Sequence, residues 1–118
     1  MDKPKLFFDE KRKYFMQPNE NDNRTSIYVE LTAHNKGAKS TTIHRTELTF
    51  EYNKVKKMIN SDIAFIMTPS STQILHSFSN LDKNDLRIYD KIQNCILIIY
   101  HTYGKINLNL GTIEEYKR

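Results

Sequence analysis

Four histidines, one cysteine and two adjacent carboxylate pairs are the residues with which this chain could do chemistry. His34, His44, His76 and His101 invite a metal reading, because imidazole is a common ligand for transition metals. No pair of them has the close helical or hairpin spacing of a metal site, although His34 and His44 flank one turn, across which they can approach each other. With a single Cys and no carboxylate in fixed register, the expectation is no metal site. His101, between Tyr100 and Tyr103, reads as a satisfied strand-end residue. Nucleophilic catalysis needs a Ser, Cys or Thr on a sharp turn beside a base, and there is no Gly-x-Ser-x-Gly. Cys95 lies inside an apolar run rather than at a helix start, so it reads as a small buried hydrophobe. The chain has 3 glycines (Gly37, Gly104 and Gly111), too few for a phosphate-cradling loop or a dinucleotide fingerprint. Asp9-Glu10 and Glu114-Glu115 do not converge either, since neighbours on a strand point to opposite faces. The expectation is a non-enzyme with no cofactor and no small-molecule substrate.

Charge allows a different class of function. The net charge is +4 and the isoelectric point about 9.1. The basic residues are interleaved with 14 acidic ones and cluster only at Lys11-Arg12-Lys13 and from Lys54 to Lys57. Such clusters read as solvated faces; the alternative is a basic surface for nucleic acid or anionic lipid, with exposed Tyr and Phe stacking on bases. One cysteine excludes an intrachain disulfide. The amino terminus, Met1 to Phe8, has no apolar core long enough for a signal peptide, and no run approaches the roughly 18 apolar residues that span a bilayer. The expectation is a soluble, cytoplasmic protein; a removed leader or anchor would leave no trace in this chain. Without a secretory signal the sequon Asn23-Arg24-Thr25 carries little weight.

The elements that must position these residues are strands. A chain of 118 residues suits one domain, here 1–118, with 1–5 and 112–118 expected to fray. Hydrophobic content of 38% implies a thin core, to which 7 Tyr and 6 Phe bring large areas per residue. Alanine is scarce while Ile, Thr, Tyr and Phe are plentiful, a bias toward strands. The clearest stretch is Asn94 to Leu110. The apolar run Cys95-Ile96-Leu97-Ile98-Ile99-Tyr100 predicts a central strand buried on both faces. A turn at Tyr103-Gly104-Lys105 follows, then Ile106 to Leu110 alternating as a strand nearer an edge.

Ser26 to His34 is the best alternating strand of the first half, with Ile27, Val29, Leu31 and Ala33 on one side. It ends at Asn35 to Lys39, where Asn and Gly can supply positive φ. Thr41 to Tyr52 is the next strand. Ile43 and Leu48 break its period, which a bulge or a change of sheet would explain. Leu6 to Phe8 and Tyr14 to Met16 are two apolar patches around a charged turn, and Gln17 to Asn23 is a loop. Asn53 to Met58 reads as a basic linker and Ile63 to Met67 as a short buried strand that ends in the turn Thr68 to Ser71. Thr72 to Phe78 puts Ile74, His76 and Phe78 on one face and Leu75 on the other. Ser79 to Asp85 is a polar corner before a segment from Leu86 to Ile92. Seven or eight short strands with turn signals roughly every 8–12 residues, and no amphipathic helix, predict an all-β sandwich or small barrel.

The order of these features resembles small immunoglobulin-like β-sandwich domains. Val29 to Gly37 is a strand closed by an Asn-x-Gly turn, Thr41-Thr42-Ile43 and Leu48-Thr49-Phe50 follow, and a polar corner and a final hairpin come later. The chain departs from antibody-type domains in having no Trp and no partner for Cys95. The resemblance implies an antiparallel immunoglobulin-like sandwich, an architecture used mainly for adhesive, adaptor or structural modules. The reading is therefore a non-catalytic binding or structural module with a protein partner or self-association through edge strands, and the alternative is a nucleic-acid-binding β domain. Tyr28, Tyr52 and Tyr103 are the aromatics expected to be exposed, and with Lys105 they form the candidate interaction surface.

Overall fold

The computed structural model describes residues 4–17, 25–52, 54–81 and 91–116. They form seven strands: β1 (Leu6–Met16), β2 (Ser26–Asn35), β3 (Thr41–Tyr52), β4 (Val55–Met67), β5 (Ser71–Asn80), β6 (Lys91–His101) and β7 (Gly104–Glu114). Two antiparallel sheets result, ordered β1-β2-β5 and β4-β3-β6-β7. No helix of the described residues is long and apolar enough to cross a membrane. Asn23 and Arg24 of the sequon, the corner from residue 82 and the segment 86–90 lie outside the described residues.

One core joins the two sheets. Ile27, Val29, Leu31 and Ala33 of β2, Phe15 of β1 and Leu75 of β5 are buried from one side. Ile43, Leu48 and Phe50 of β3 and Cys95, Leu97 and Ile99 of β6 are buried from the other. The phase break in β3 is a bulge: its pairing with both β4 and β6 shifts between Ile43 and Arg45. Against β6 the extra residue is His44; against β4 it lies on β4, where Ile63 and Ala64 oppose His44, and Ile43 and Leu48 both reach the core. As expected, β6 is central, β7 lies at an edge, and Cys95 is fully buried.

The structure departs from the sequence reading where strands carry charge. Leu6 to Met16 is one strand, not two patches around a turn; its pairing with β2 shifts between Glu10 and Arg12. Glu10 and Lys13 sit on its core-facing side, form an ion pair, and Lys13 Nζ donates to the carbonyl of Leu110 on β7. Charged residues turned inward on an edge strand are a device against edge pairing, so polarity here marks an edge rather than a turn. Likewise residues 55–58 are the start of β4, entered through Lys54 at φ 63°, not a linker. Strand β4 alternates throughout, leaving Ile66 exposed, so Ile63–Met67 is not buried on both faces. Nor is β6, whose Ile96 is exposed and whose Ile98 and Tyr100 are half-buried on the outer side.

Two connections work differently from the expectation. Gly37 does not adopt positive φ. Instead the buried Asn35 side chain organises its turn: Nδ2 donates to the carbonyls of Lys39 (2.8 Å) and Met67 (3.2 Å), and Oδ1 accepts from Gly37 N–H (3.0 Å). In the β6–β7 hairpin Gly104 pairs with His101 and takes φ 149°, leaving Thr102 and Tyr103 as the loop.

The carboxyl-terminal segment is anchored as far as Tyr116. Ile113 is fully buried, Glu115 bridges Phe15 in parallel, and Tyr116 N–H donates to the Phe15 carbonyl (2.8 Å). Lys5 is held as well, its carbonyl accepting from Lys36 N–H (2.8 Å). This contact of β1 with β7 ties the outer strand of one sheet to that of the other. Ile113→Ala is accordingly expected to cost about 2–5 kcal/mol in denaturant unfolding; a frayed tail would give no loss.

Candidate functional site

Alternation puts the even-numbered residues of β2 and β5 on the outer face of the three-stranded sheet, and the β1 bulge brings Arg12 and Tyr14 into line with them. Three aromatics meet in one cross-strand row, Tyr14, Tyr28 and Phe78. Tyr28 lies 5.0 Å from Tyr14 and 5.0 Å from Phe78, measured between ring centroids. Tyr116, brought over by the β1–β7 contact, lies 4.8 Å from Tyr14. The Arg12 guanidinium stands 5.1 Å from the Tyr14 centroid and 5.5 Å from that of Tyr116. Such contacts add to what area burial alone provides.

Tyr28 is the pivot. It is only 8% exposed, although it belongs to an outer face, because neighbouring rings cover it. Its hydroxyl donates to Glu30 Oε1 (2.9 Å) and, having one proton, accepts from His76 Nδ1. Burial, then the hydrogen bond and charge of Glu30, push its pKa above the ordinary tyrosine value. Near it Met16, Phe78 and Tyr116 are exposed, Phe78 by 50%, while Ile74, opposite Thr32 and 56% exposed, and Phe7, opposite His34, stand farther along the same face.

The same face carries a second polar chain. His34 Nδ1 meets Thr72 Oγ1 (3.0 Å) and His34 Nε2 meets Asp9 Oδ2 (3.1 Å). Hydroxyl, imidazole and carboxylate thus stand in the order of a nucleophile relay. The backbone N–H groups of a sheet lie in its plane, however, so none of this sheet points at an oxyanion above Thr72. His34 and His44 do not approach each other, since they stand on different sheets.

Of the expected interaction residues, Tyr103 is exposed on the β6–β7 loop under Lys39, and Lys105 is exposed opposite Tyr100. Tyr52 is half-buried against the core and Tyr28 is buried, so neither is the exposed aromatic expected. The four are not brought together: Tyr28 is on the smaller sheet, and Tyr52 is at the opposite end of β3 from the β6–β7 loop. Sequence reasoning missed Arg12, Tyr14, Phe78 and Tyr116. The shared face of Ile74, His76 and Phe78 was visible, but its outward direction was not. The other outer face has a groove of about 400 Å³ lined by Thr49, Glu51, Lys56, Met58, Asn94 and Ile96. Its apolar members are separated by charged and polar side chains.

Cys95 is filler rather than reagent: burial pushes its thiol up to about 11, against smaller pulls from the Ile113 backbone and Lys13. His101 is the satisfied strand-end residue expected. Its Nδ1 accepts from Tyr103 N–H (3.4 Å) and faces Thr41 Oγ1 at 3.0 Å. Burial, and secondarily His44, hold its pKa below the ordinary histidine value.

No family model matches the chain, and no curated protein matches it. Solved structures do. The X-ray structure of the structural-genomics target SoR45 aligns at a TM-score of 0.52 and 9% identity, covering 92% of this chain and 83% of that one. A putative ApaA protein from Bordetella pertussis aligns at 0.52 and 10% identity, covering 98% and 96%. At such identity the likeness is one of fold alone.

The His101 environment sets a pH dependence. A depressed folded-state pKa means that the unfolded chain binds the proton first, so this contribution is present above about pH 6.5 and is lost as the pH falls. Urea unfolding should show stability declining from pH 7 to pH 5, and His101→Gln should flatten that decline.

Proposed function

We propose that the chain is an immunoglobulin-like sandwich serving as a non-catalytic protein-interaction module, and that it docks through the outer face of the β1-β2-β5 sheet. The strand order supports the architectural part. Sheets ordered β1-β2-β5 and β4-β3-β6-β7 correspond to A-B-E and C′-C-F-G of that sandwich class. The expected cytoplasmic setting belongs to the same reading.

The observation that carries the docking part is the contiguous row of rings around Tyr28. Exposed apolar side chains scattered singly are ordinary, whereas a joined patch with a polar rim marks an interaction site. Its composition of Tyr, Phe, Met and Arg is the one enriched at protein interfaces. Its members are already held by ring contacts and by the Glu30–Tyr28–His76 hydrogen bonds, so little side-chain freedom remains to be lost on binding. The basic clusters give the nucleic-acid alternative no such focus: Arg12 is engaged with two rings, and Lys13 is turned toward Leu110.

Affinity capture from the source cell tests this. Phe78→Ser with Met16→Ser should abolish recovery of a partner, while Met58→Ser with Ile66→Ser on the other outer face should not. If instead the protein retards nucleic acid at low salt, with the steep salt dependence of phosphate contacts, the alternative stands and docking on this face does not.

A further inference from the structure

The four outer strands of the two sheets are not equally protected. Strand β1 carries a bulge, an inward Glu10–Lys13 pair and a bridge from Phe15 to Glu115 just past β7, and β7 carries Lys105 and Glu114. Strand β4 carries Lys56, Lys57 and Asp62. By contrast, β5 (STQILHSFSN) has no Lys, Arg, Asp, Glu, Pro or Gly, and it pairs with β2 from Ser71 to Asn80 without a register shift. A straight, uncharged edge is a template for another strand.

The phase of the β2–β5 ladder shows which backbone groups are on offer. Leu81 N–H donates to the Thr25 carbonyl (2.8 Å), which continues the register of the ladder by one pair. In an antiparallel ladder, hydrogen-bonded and non-bonded pairs alternate. The odd-numbered residues of β5 therefore face β2, and Thr72, Ile74, His76 and Phe78 turn their N–H and C=O groups away from it. Agreeing with this, Ser61 of β4 donates its hydroxyl to the Phe78 carbonyl (3.4 Å). That contact closes the Phe78 end, where the two sheets lie beside each other across a crevice of about 220 Å³ that Ser61 to Ile63 of β4 line from one side and His76 to Phe78 of β5 from the other. Among the described residues, no backbone partner meets Thr72, Ile74 or His76 on that side.

We propose that this edge pairs with β5 of a second copy of the chain, antiparallel about a two-fold axis at Ile74. Ile74 then faces its own equivalent, and Thr72 and His76 of each copy face His76 and Thr72 of the other. Three hydrogen-bonded pairs form, no like charges meet, and the two exposed Ile74 side chains cover one another. A partner with an ordinary charged edge would lack this match, whereas β5 is uncharged and self-complementary. The two β1-β2-β5 sheets become one continuous sheet, and their aromatic faces one surface. The proposal rests on the docking reading above, to which it adds the identity of one partner.

Sedimentation velocity of the whole chain over a concentration series, with cysteine cross-linking, tests it. The wild-type chain should dimerise, and Ile74→Lys, which sets two ammonium groups opposite each other, should raise the dissociation constant about tenfold. Ile74→Cys should form an interchain disulfide under mild oxidation, whereas Ile66→Cys, exposed on β4, should not. A chain that stays monomeric, or a dimer indifferent to Ile74→Lys and not cross-linked through Ile74→Cys, overturns the pairing. If such a chain still captures another protein through Phe78, the pairing fails and the docking reading stands; if Phe78→Ser changes nothing either, both fail.

Discussion

The two-residue period of β2 is the constraint on which the rest of the structure depends. Its odd-numbered residues, Ile27, Val29, Leu31 and Ala33, form one wall of the core. Of its even-numbered residues, Tyr28, Glu30 and His34 carry both polar networks of the outer face. A slip of one residue would put Tyr28 and Glu30 into the core and four aliphatics on the surface. The ladders to β1 and β5 hold that phase on both sides. Core and candidate site are thus two faces of one register.

A thin core makes the edges matter more. With two sheets and no further layer among the described residues, apolar atoms reach water at the rims unless something closes them. On one side the closure is made by Phe15, Ile113 and Tyr116, with Lys13 reaching across to Leu110. On the other, β4 and β5 lie beside each other where Ser61 to Ile63 face His76 to Phe78. Charge is distributed accordingly, dense on β1 and β4 and missing from β5. The same rule that explains why β1 is polar identifies β5 as the edge left open.

This distribution explains what was legible in the sequence. Strands β2 and β3 were, because each is covered on both sides and its alternation is undiluted; even the β3 bulge showed as the clash of phase between Ile43 and Leu48. The middle of the β6–β7 hairpin was legible from the apolar run Cys95 to Tyr100 and the alternation from Ile106 to Leu110, but its ends were not: β6 begins at Lys91 rather than Asn94 and β7 runs to Glu114 rather than Leu110. Strands β1 and β4 were hidden because edge protection and turn chemistry use the same residue types, so Asp9 to Lys13 and Lys54 to Lys57 looked like turns. The site was hidden for another reason. Alternation tells which residues share a face but not which face is wet, so the outward direction of Ile74, His76 and Phe78 needed the second sheet. Tyr28 was misjudged because its cover comes from Tyr14 and Phe78, on strands distant in sequence. The segment from Thr112 onward was misjudged because a short polar tail gives no sign that Ile113 is buried in the core.

His76 connects the open edge of β5 to the aromatic face. Its ring stacks on Tyr28 at 5.8 Å and shares the hydrogen bonds that hold Tyr28 to Glu30. Its backbone N–H and C=O, by the phase of the ladder, turn toward the open edge. A strand added there would fix the backbone of His76, and with it the imidazole against Tyr28. Restraint of Tyr28 passes by direct contact to Tyr14 and Phe78, and from Tyr14 to Tyr116 and Arg12. Edge and face are therefore joined by direct contacts through His76 and Tyr28.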